Sequence, residues 1–375
     1  DNVVAIATGG LPLKFDEVGI STGAIPIQIG ETPAVARAAP RPSGPVSATL
    51  VGVVLPEDTR AGDTVSGIVV TNPKDWEGAR GLRVVELTVP LARDKSGQPV
   101  LDGVTVRAGD GPERPADDGF TCTVPRDGSD VALTFGREGG PPLAQAKLPV
   151  KAGPAGSDAP PTDFQTPPVC QAGNVHPIDG PANGASGDTS VALNGEKLRV
   201  VAETPRAIYC LVPDGAKAGA ARLELTEKGI HRSFPVVTLR LEMSADKLDL
   251  IRGESTRFSA VIAGLEALPE SAWRGGAPLD AGALARARAR VPDLRIPTAD
   301  QPGTLLLVIE NRSPDVISID GERGGAIART YARGDQVGGR YRFDGTIHSK
   351  RSGGFNVHGE VFAFLAPVRS SEVTP

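Results

Sequence analysis

Acid–base, nucleophilic or metal chemistry in this chain would have to start from its histidines, cysteines and carboxylates. The four histidines, His176, His231, His348 and His358, are dispersed over strand-like runs and a turn. His348 and His358 are expected on neighbouring strands of one hairpin, with Glu360 as the nearest third ligand if they held zinc, which needs at least three protein ligands. No Gly-x-Ser-x-Gly, His-Glu-x-x-His, phosphate-binding loop or strand–GxGxxG–helix is present. The Gly321–Gly325 run sits between strands with no helix after it, so its amides have no helix terminus from which to cradle a phosphate. Asp118-Gly119 and Asp127-Gly128 lack the alternating acidic loop that holds calcium well. The carboxylates are spread along the chain and nominate no glycosidase pair. No catalytic residue, cofactor-binding residue or metal ligand is therefore assigned, no cofactor is expected, and a non-enzymatic role is.

Cys122, Cys170 and Cys210 each lie in an apolar, strand-like context, with spacing that fits no zinc or redox motif. In an oxidising compartment one disulfide and one free thiol is the simplest outcome. Cys170 and Cys210 fall in one candidate domain and are the favoured pair. Cys122–Cys170 is the rival, and three buried, unlinked thiols are the alternative to both. Basic residues supply the other candidate contacts. Arg286 and Arg288 lie on the one convincing helix, and Lys350 and Arg351 at a hairpin tip. They could contact an anionic glycan or a phosphate, although a solvated helix face and a charged sheet edge explain them as well.

The elements that would hold these groups are almost all strands. The chain has 375 residues, enough for two to four domains with real cores. Hydrophobic residues are 39% but aromatics only 4%, so those cores must be built from Val, Leu, Ile and Ala. Gly (46) and Pro (34) fall between apolar runs and read as turns. A net charge of −5 with mixed signs lacks the basic face that nucleic acid or an anionic membrane would require. There is no apolar run of about 18 residues to span a membrane. The chain begins at Asp1 without Met, which fits removal of a leader and a secreted or cell-surface location.

Residues 1–45 read as an extended arm. Val3, Val4 and Ile6, then Ile25, Ile27 and Ile29, lie in strand-like runs that dissolve into a Pro/Ala linker. Such an arm folds back on its own chain or adds as a strand to the open sheet edge of a neighbouring subunit. Residues 46–152 carry about seven short apolar runs separated by turn signals, the pattern of a β-sandwich. A linker is expected at 153–167, a second sandwich at 168–237, a third β-domain at 238–368 and a tail at 369–375. The third domain is interrupted near 268–294, where Leu279–Val291 reads as a helix ended by Pro292. The strand ending at Leu365 turns apolar on both faces, which predicts a cover on both sides.

In the second sandwich, Gly187 precedes a strand, Asn194-Gly195 makes a hairpin, and Val212-Pro213-Asp214-Gly215 and Gly219 separate the late strands. This order resembles the IPT/TIG family of immunoglobulin-like domains, and residues 248–262 resemble the opening of bacterial surface immunoglobulin-like repeats. The resemblance implies an all-β chain of tandem immunoglobulin-like sandwiches, with a spacer or binding role and no activity. The expected function is a structural subunit of a surface filament, appendage or lattice, self-associating through its arm. A module binding glycan or a host surface is the alternative.

Overall fold

The computed structural model describes residues 15–16, 19–20, 47–73, 81–151, 162–182, 189–276, 281–338 and 340–372. The arm residues Val3, Val4, Ile6, Ile25, Ile27 and Ile29 lie outside them. The architecture is all-β: tandem sandwiches with one α-helix among the described residues, Ala281–Arg290.

In the first sandwich the strand Ser47–Pro56 lies between Val69–Val70 and Leu82–Arg93, with Pro99–Val100 beyond. The facing sheet runs Ala144–Leu148, Val131–Gly136, Thr105–Ala108, Arg114–Pro115. Alternation dictates the core. Val131, Leu133 and Phe135 point inward against Val51, Val53 and Leu55, while Ala132 and Thr134 stand off the core face. Val54, between Val53 and Leu55, takes the opposite face of the strand and is still buried, because the second sandwich covers it there.

That cover is a seam of sheet, core and charge. Thr64–Gly67 pairs with Phe120–Thr123 on one side and with Glu196–Thr204 of the second sandwich on the other, Gly67 opposite Ala202 and Ser66 opposite Glu203. Val54, Ile68, Val70 and Leu82 pack on Val175, Val201 and Tyr209. A Cβ on Gly67 would sit 2.1 Å from the Val54 carbonyl oxygen, so only glycine lets the backbones approach this closely. Arg206, on a second-sandwich turn, closes the seam. Its Nε donates to Asp58 Oδ2 at 3.1 Å, Nη2 to the Asp58 carbonyl at 2.8 Å, and Nη1 to Asp63 Oδ1 at 3.2 Å, with a further Nη2 bond to Asp63 Oδ2.

In the second sandwich, Glu196–Thr204 serves both sheets. It leaves the Asn194-Gly195 hairpin paired with Thr189–Leu193, then shifts register between Val200 and Ala202 and pairs with Ala207–Leu211. Asn194 (φ 52°) and Gly195 (φ 82°) take the left-handed conformation that a two-residue hairpin requires. The expected linker extends into this unit: Gln165–Thr166 pairs with the Val175–Asp179 strand, and Phe164 is buried in the core. A Cβ on Gly180 would fall 2.1 Å from the Phe164 ring, so glycine admits that ring.

The second seam is one uninterrupted strand, Ile230–Ala245. Its first half pairs with Gly219–Glu227 and places Phe234 and Val236 in the second core. Its second half pairs with Ser255–Ala263 and places Leu239, Leu241 and Met243 in the third. The expected division at 237/238 falls inside this strand. A run that is apolar on either side of Thr238 has no breaker at which to end. The C-terminal segment then returns to the second sandwich: Val368–Arg369 pairs with Gln165–Thr166, and Ser371–Glu372 with Ser233 and Arg232.

The third sandwich sets Ala326–Ala332, Thr304–Asn311 and Val357–Phe364 against a sheet of Ile317–Ile319, Tyr341–Ser349, Ser255–Ala263 and the long strand. Leu305, Leu307 and Ile309 face the inner core, while Leu306, Val308, Phe362 and Phe364 face outward beneath Leu284 and Ala287 of the helix. The run apolar on both faces is thus covered on both faces, and an Arg290–Glu310 ion pair ties the helix end to the sheet.

Candidate functional site

The cysteine pairing is corrected. Cys122, Cys170 and Cys210 are all free thiols and all buried. Cys170 and Cys210 share a core, but they lie in different sheets, on strands paired with Ile230–Ala245 and with Val175–Asp179. The Cys210 thiol donates to the His176 carbonyl on its neighbouring strand at 3.5 Å. Burial pushes Cys210 up to about 12 and Cys122 to about 11, so neither supplies a thiolate nucleophile at neutral pH.

The expected approach of His348 and His358 is also corrected. His348 is on Tyr341–Ser349 and His358 on Val357–Phe364, strands of opposite sheets. The chain crosses the sandwich between them where a hairpin was expected. His348 accepts or donates at Nδ1 with Ser255 Oγ (2.7 Å), and its Nε2 meets Asp320 Oδ1 at 2.9 Å. These are the members of a hydrolytic triad, but serine and aspartate occupy the ring nitrogens in the reverse of the usual sense. All three stand on a solvent-facing sheet surface. His358 lies opposite Glu310, which also pairs with Arg290 and Arg312. Burial, then the Arg312 and Arg290 charges, lower its pKa to about 4, so the ring is neutral at physiological pH.

The other two histidines are structural contacts. His176 is buried, with Nε2 2.6 Å from Thr166 Oγ1. That hydroxyl donates onward to the Pro177 carbonyl, so Nε2 carries the proton it shares with Thr166. His231 bonds through Nδ1 to Thr226 Oγ1 at 2.8 Å, across the strand pair.

Asp127 Oδ1 accepts from the Ser129 amide and hydroxyl and so shapes its own turn. Among the described residues, no group of three His, Cys, Asp or Glu side chains is placed to hold a metal ion. The basic candidates do not converge. Arg288 is exposed on the helix outside one sheet of the third sandwich, whereas Lys350 and Arg351 follow the last residue of a strand in the other sheet. Lys350 Nζ donates to the Pro314 carbonyl at 2.7 Å. Arg286 lies on the same helix, and its side chain is not described.

Two features had no signal in the residue pattern. Glu203 and Glu227 are both buried at one end of the second core, each about 4% exposed, and Thr189 Oγ1 donates to Glu203 Oε1 at 2.9 Å. Burial and the neighbouring Glu227 charge outweigh that bond and raise Glu203 to about 7. At the first seam, an open cleft of ≈ 300 Å³ is lined by Val70, Thr71, Asn72, Leu101, Asp117 and Arg199. Only pairing across the seam brings Arg199 to residues more than a hundred positions earlier in most of that lining, so no local motif could announce it.

No family model matches the chain. No characterised protein sequence matches it either. Among solved structures, the chain is similar to a Bacteroides ovatus mixed-linkage glucan utilization protein, SGBP-B, solved with a mixed-linkage heptasaccharide (10% identity, 72% of this chain and 91% of that one, TM-score 0.17). It is also similar to the Escherichia coli adhesin FdeC (12% identity, 88% and 99%, TM-score 0.17) and to invasin, a bacterial integrin-binding protein (11% identity, 86% and 60%, TM-score 0.17). Superpositions this loose leave function to be argued from the chain's own geometry. No helix among the described residues is long and apolar enough to cross a membrane.

Proposed function

We propose that the chain is a non-enzymatic extracellular structural protein. In this reading it is a subunit of a surface filament, appendage or lattice, built of immunoglobulin-like sandwiches of the IPT/TIG kind and self-associating by strand addition of its N-terminal arm. The observation that carries the reading is the construction of the two seams. A shared sheet with a buried core joins the first pair of sandwiches, and one 16-residue strand joins the second pair. Domains fused in this way hold a fixed mutual orientation, which a load-bearing or display subunit requires and an isolated globular enzyme does not. Seven-residue edge strands such as Ala326–Ala332, paired on one side only among the described residues, are the kind of edge an added strand completes.

The test is electron microscopy and mass photometry of the full chain beside a variant lacking residues 1–30. Ordered assemblies that vanish on deletion are expected. A strictly monomeric full chain would sink the assembly reading.

A second reading, a module that binds glycan or a host surface, is favoured by the cleft at the first seam. Its rim offers polar groups around the edges of Val70 and Leu101.

A further inference from the structure

We propose that the cleft between the first and second sandwiches is a binding site for a neutral oligosaccharide. This rests on the second reading above and gives that reading a place and a ligand class. At its base only the edges of Val70 (8% exposed) and Leu101 (9%) reach the cleft, because Val69, next along the strand, turns into the first core. The rim is polar and comes from three separate segments. Asn72 follows the Val69–Val70 strand, Asp117 lies on a short 3-10 turn, and Arg199 reaches in from the Glu196–Thr204 strand of the second sandwich.

Asp117 and Arg199 are exposed, and neither side chain has a hydrogen-bonding or ionic partner among the described residues. Among the described residues, this arginine and this carboxylate line one cleft without pairing, and both side chains are exposed to a guest. A carboxylate accepts from a pair of vicinal hydroxyls, and a guanidinium donates to hydroxyl and ring oxygens. One acceptor and one donor of opposite charge select a guest that is neutral and both donates and accepts. A phosphate or carboxylate ligand would meet Asp117, and an ammonium would meet Arg199. The volume fits one or two sugar rings at the lower limit of ordinary ligand clefts. The seam that shapes the cleft is held by Arg206 and the shared sheet, so the two walls are fixed before a ligand arrives.

The experiment is saturation-transfer NMR followed by calorimetry on the full chain. The probes are cellohexaose, laminarihexaose, maltohexaose and chitohexaose, with a hexa-aspartate peptide and inorganic phosphate as charged controls. Three variants are compared with the unmodified chain: Asp117→Asn, Arg199→Ala, and a triple variant Arg288→Ala/Lys350→Ala/Arg351→Ala. Thermal unfolding establishes that each is folded. Binding of at least one hexasaccharide, weakened about tenfold or more by each cleft variant and unchanged in the triple variant, is the expected result. Saccharide binding that survives both cleft variants and fails in the triple variant overturns this site while leaving the glycan-binding reading standing. Binding of the charged controls alone overturns the ligand class. No saccharide binding by the unmodified chain overturns both the site and the reading beneath it.

Discussion

The two seams of this molecule join sandwiches by different physics. The first is a docking: two chain segments far apart in sequence share one sheet, nine buried side chains fill the gap, and Arg206 satisfies Asp58 and Asp63 across it. The second is a continuation, in which Ile230–Ala245 passes from one core to the next without leaving the extended conformation. A docked seam depends on complementary groups meeting and is vulnerable to single charges. A continued seam depends on a strand's apolar faces and is vulnerable to cavities. The difference teaches where each kind of substitution should act.

The largest effect is expected at the continued seam. Leu241 is 1% exposed, and its Cδ2 would lie 2.5 Å from a Cβ at Gly359, so it fills its site. Leu241→Ala should cost about 3–4 kcal/mol in urea unfolding. A loss below about 1 kcal/mol would mean that the third core does not depend on this strand's packing. Arg206→Ala comes next, at about 3 kcal/mol, because Asp63 is left largely buried without its cation. The Arg206→Ala loss should shrink when Asp63→Asn is added, and strict additivity in that cycle would count against the docked picture.

The pH response should separate the regions in sign. Glu203 is raised from its ordinary 4.5 to about 7. Between those values the folded state holds the extra proton, so stability falls as pH rises from about 4.5 to 7 and then levels off. Glu203→Gln should remove that fall, which amounts to about 3 kcal/mol. His358 is lowered from 6.5 to about 4, so the unfolded state holds the extra proton there, and stability is lost as pH drops from about 6.5 to 4. His358→Gln should flatten that slope and leave the one from Glu203 intact. The two contributions overlap between about pH 4.5 and 6.5 and offset each other in the unmodified chain, so unfolding midpoints of the two variants across pH 4–8 check them: the His358→Gln chain should lose stability as pH rises and the Glu203→Gln chain gain it, and slopes of the same sign would refute the assignment. Last, the three thiols should be silent to a thiol reagent in the folded protein and titrate fully on unfolding, with no effect of prior reduction.

Much of the sandwich architecture could be read from alternation and turn residues, because burial on one face leaves a period of two. The hairpin at Asn194-Gly195 and the two-faced apolar strand before Leu365 are examples: their expected pairing and double cover are what the structure contains. What could not be read were features created by distant meetings. Phe164 sits in composition typical of a linker, yet its ring is admitted to the core by Gly180. Shared domain membership favours a Cys170–Cys210 pair, but it says nothing of which strands the two residues pair with. The Arg206 contacts and the cleft at Arg199 need the first seam to exist before either residue has neighbours to act on.

The return of the chain at Val368–Arg369 and Ser371–Glu372 has a mechanical consequence. The third sandwich leaves the second by one strand and comes back by another, and Ser233 and Ser371 are directly paired where the two ends meet. It is therefore, in connectivity, a large excursion from the second sandwich and not the last link of a string. Tension applied through residues beyond 372 would be borne first by those short return strands against the second sandwich. The third sandwich would be bypassed until they give way, its folded length held in reserve as slack.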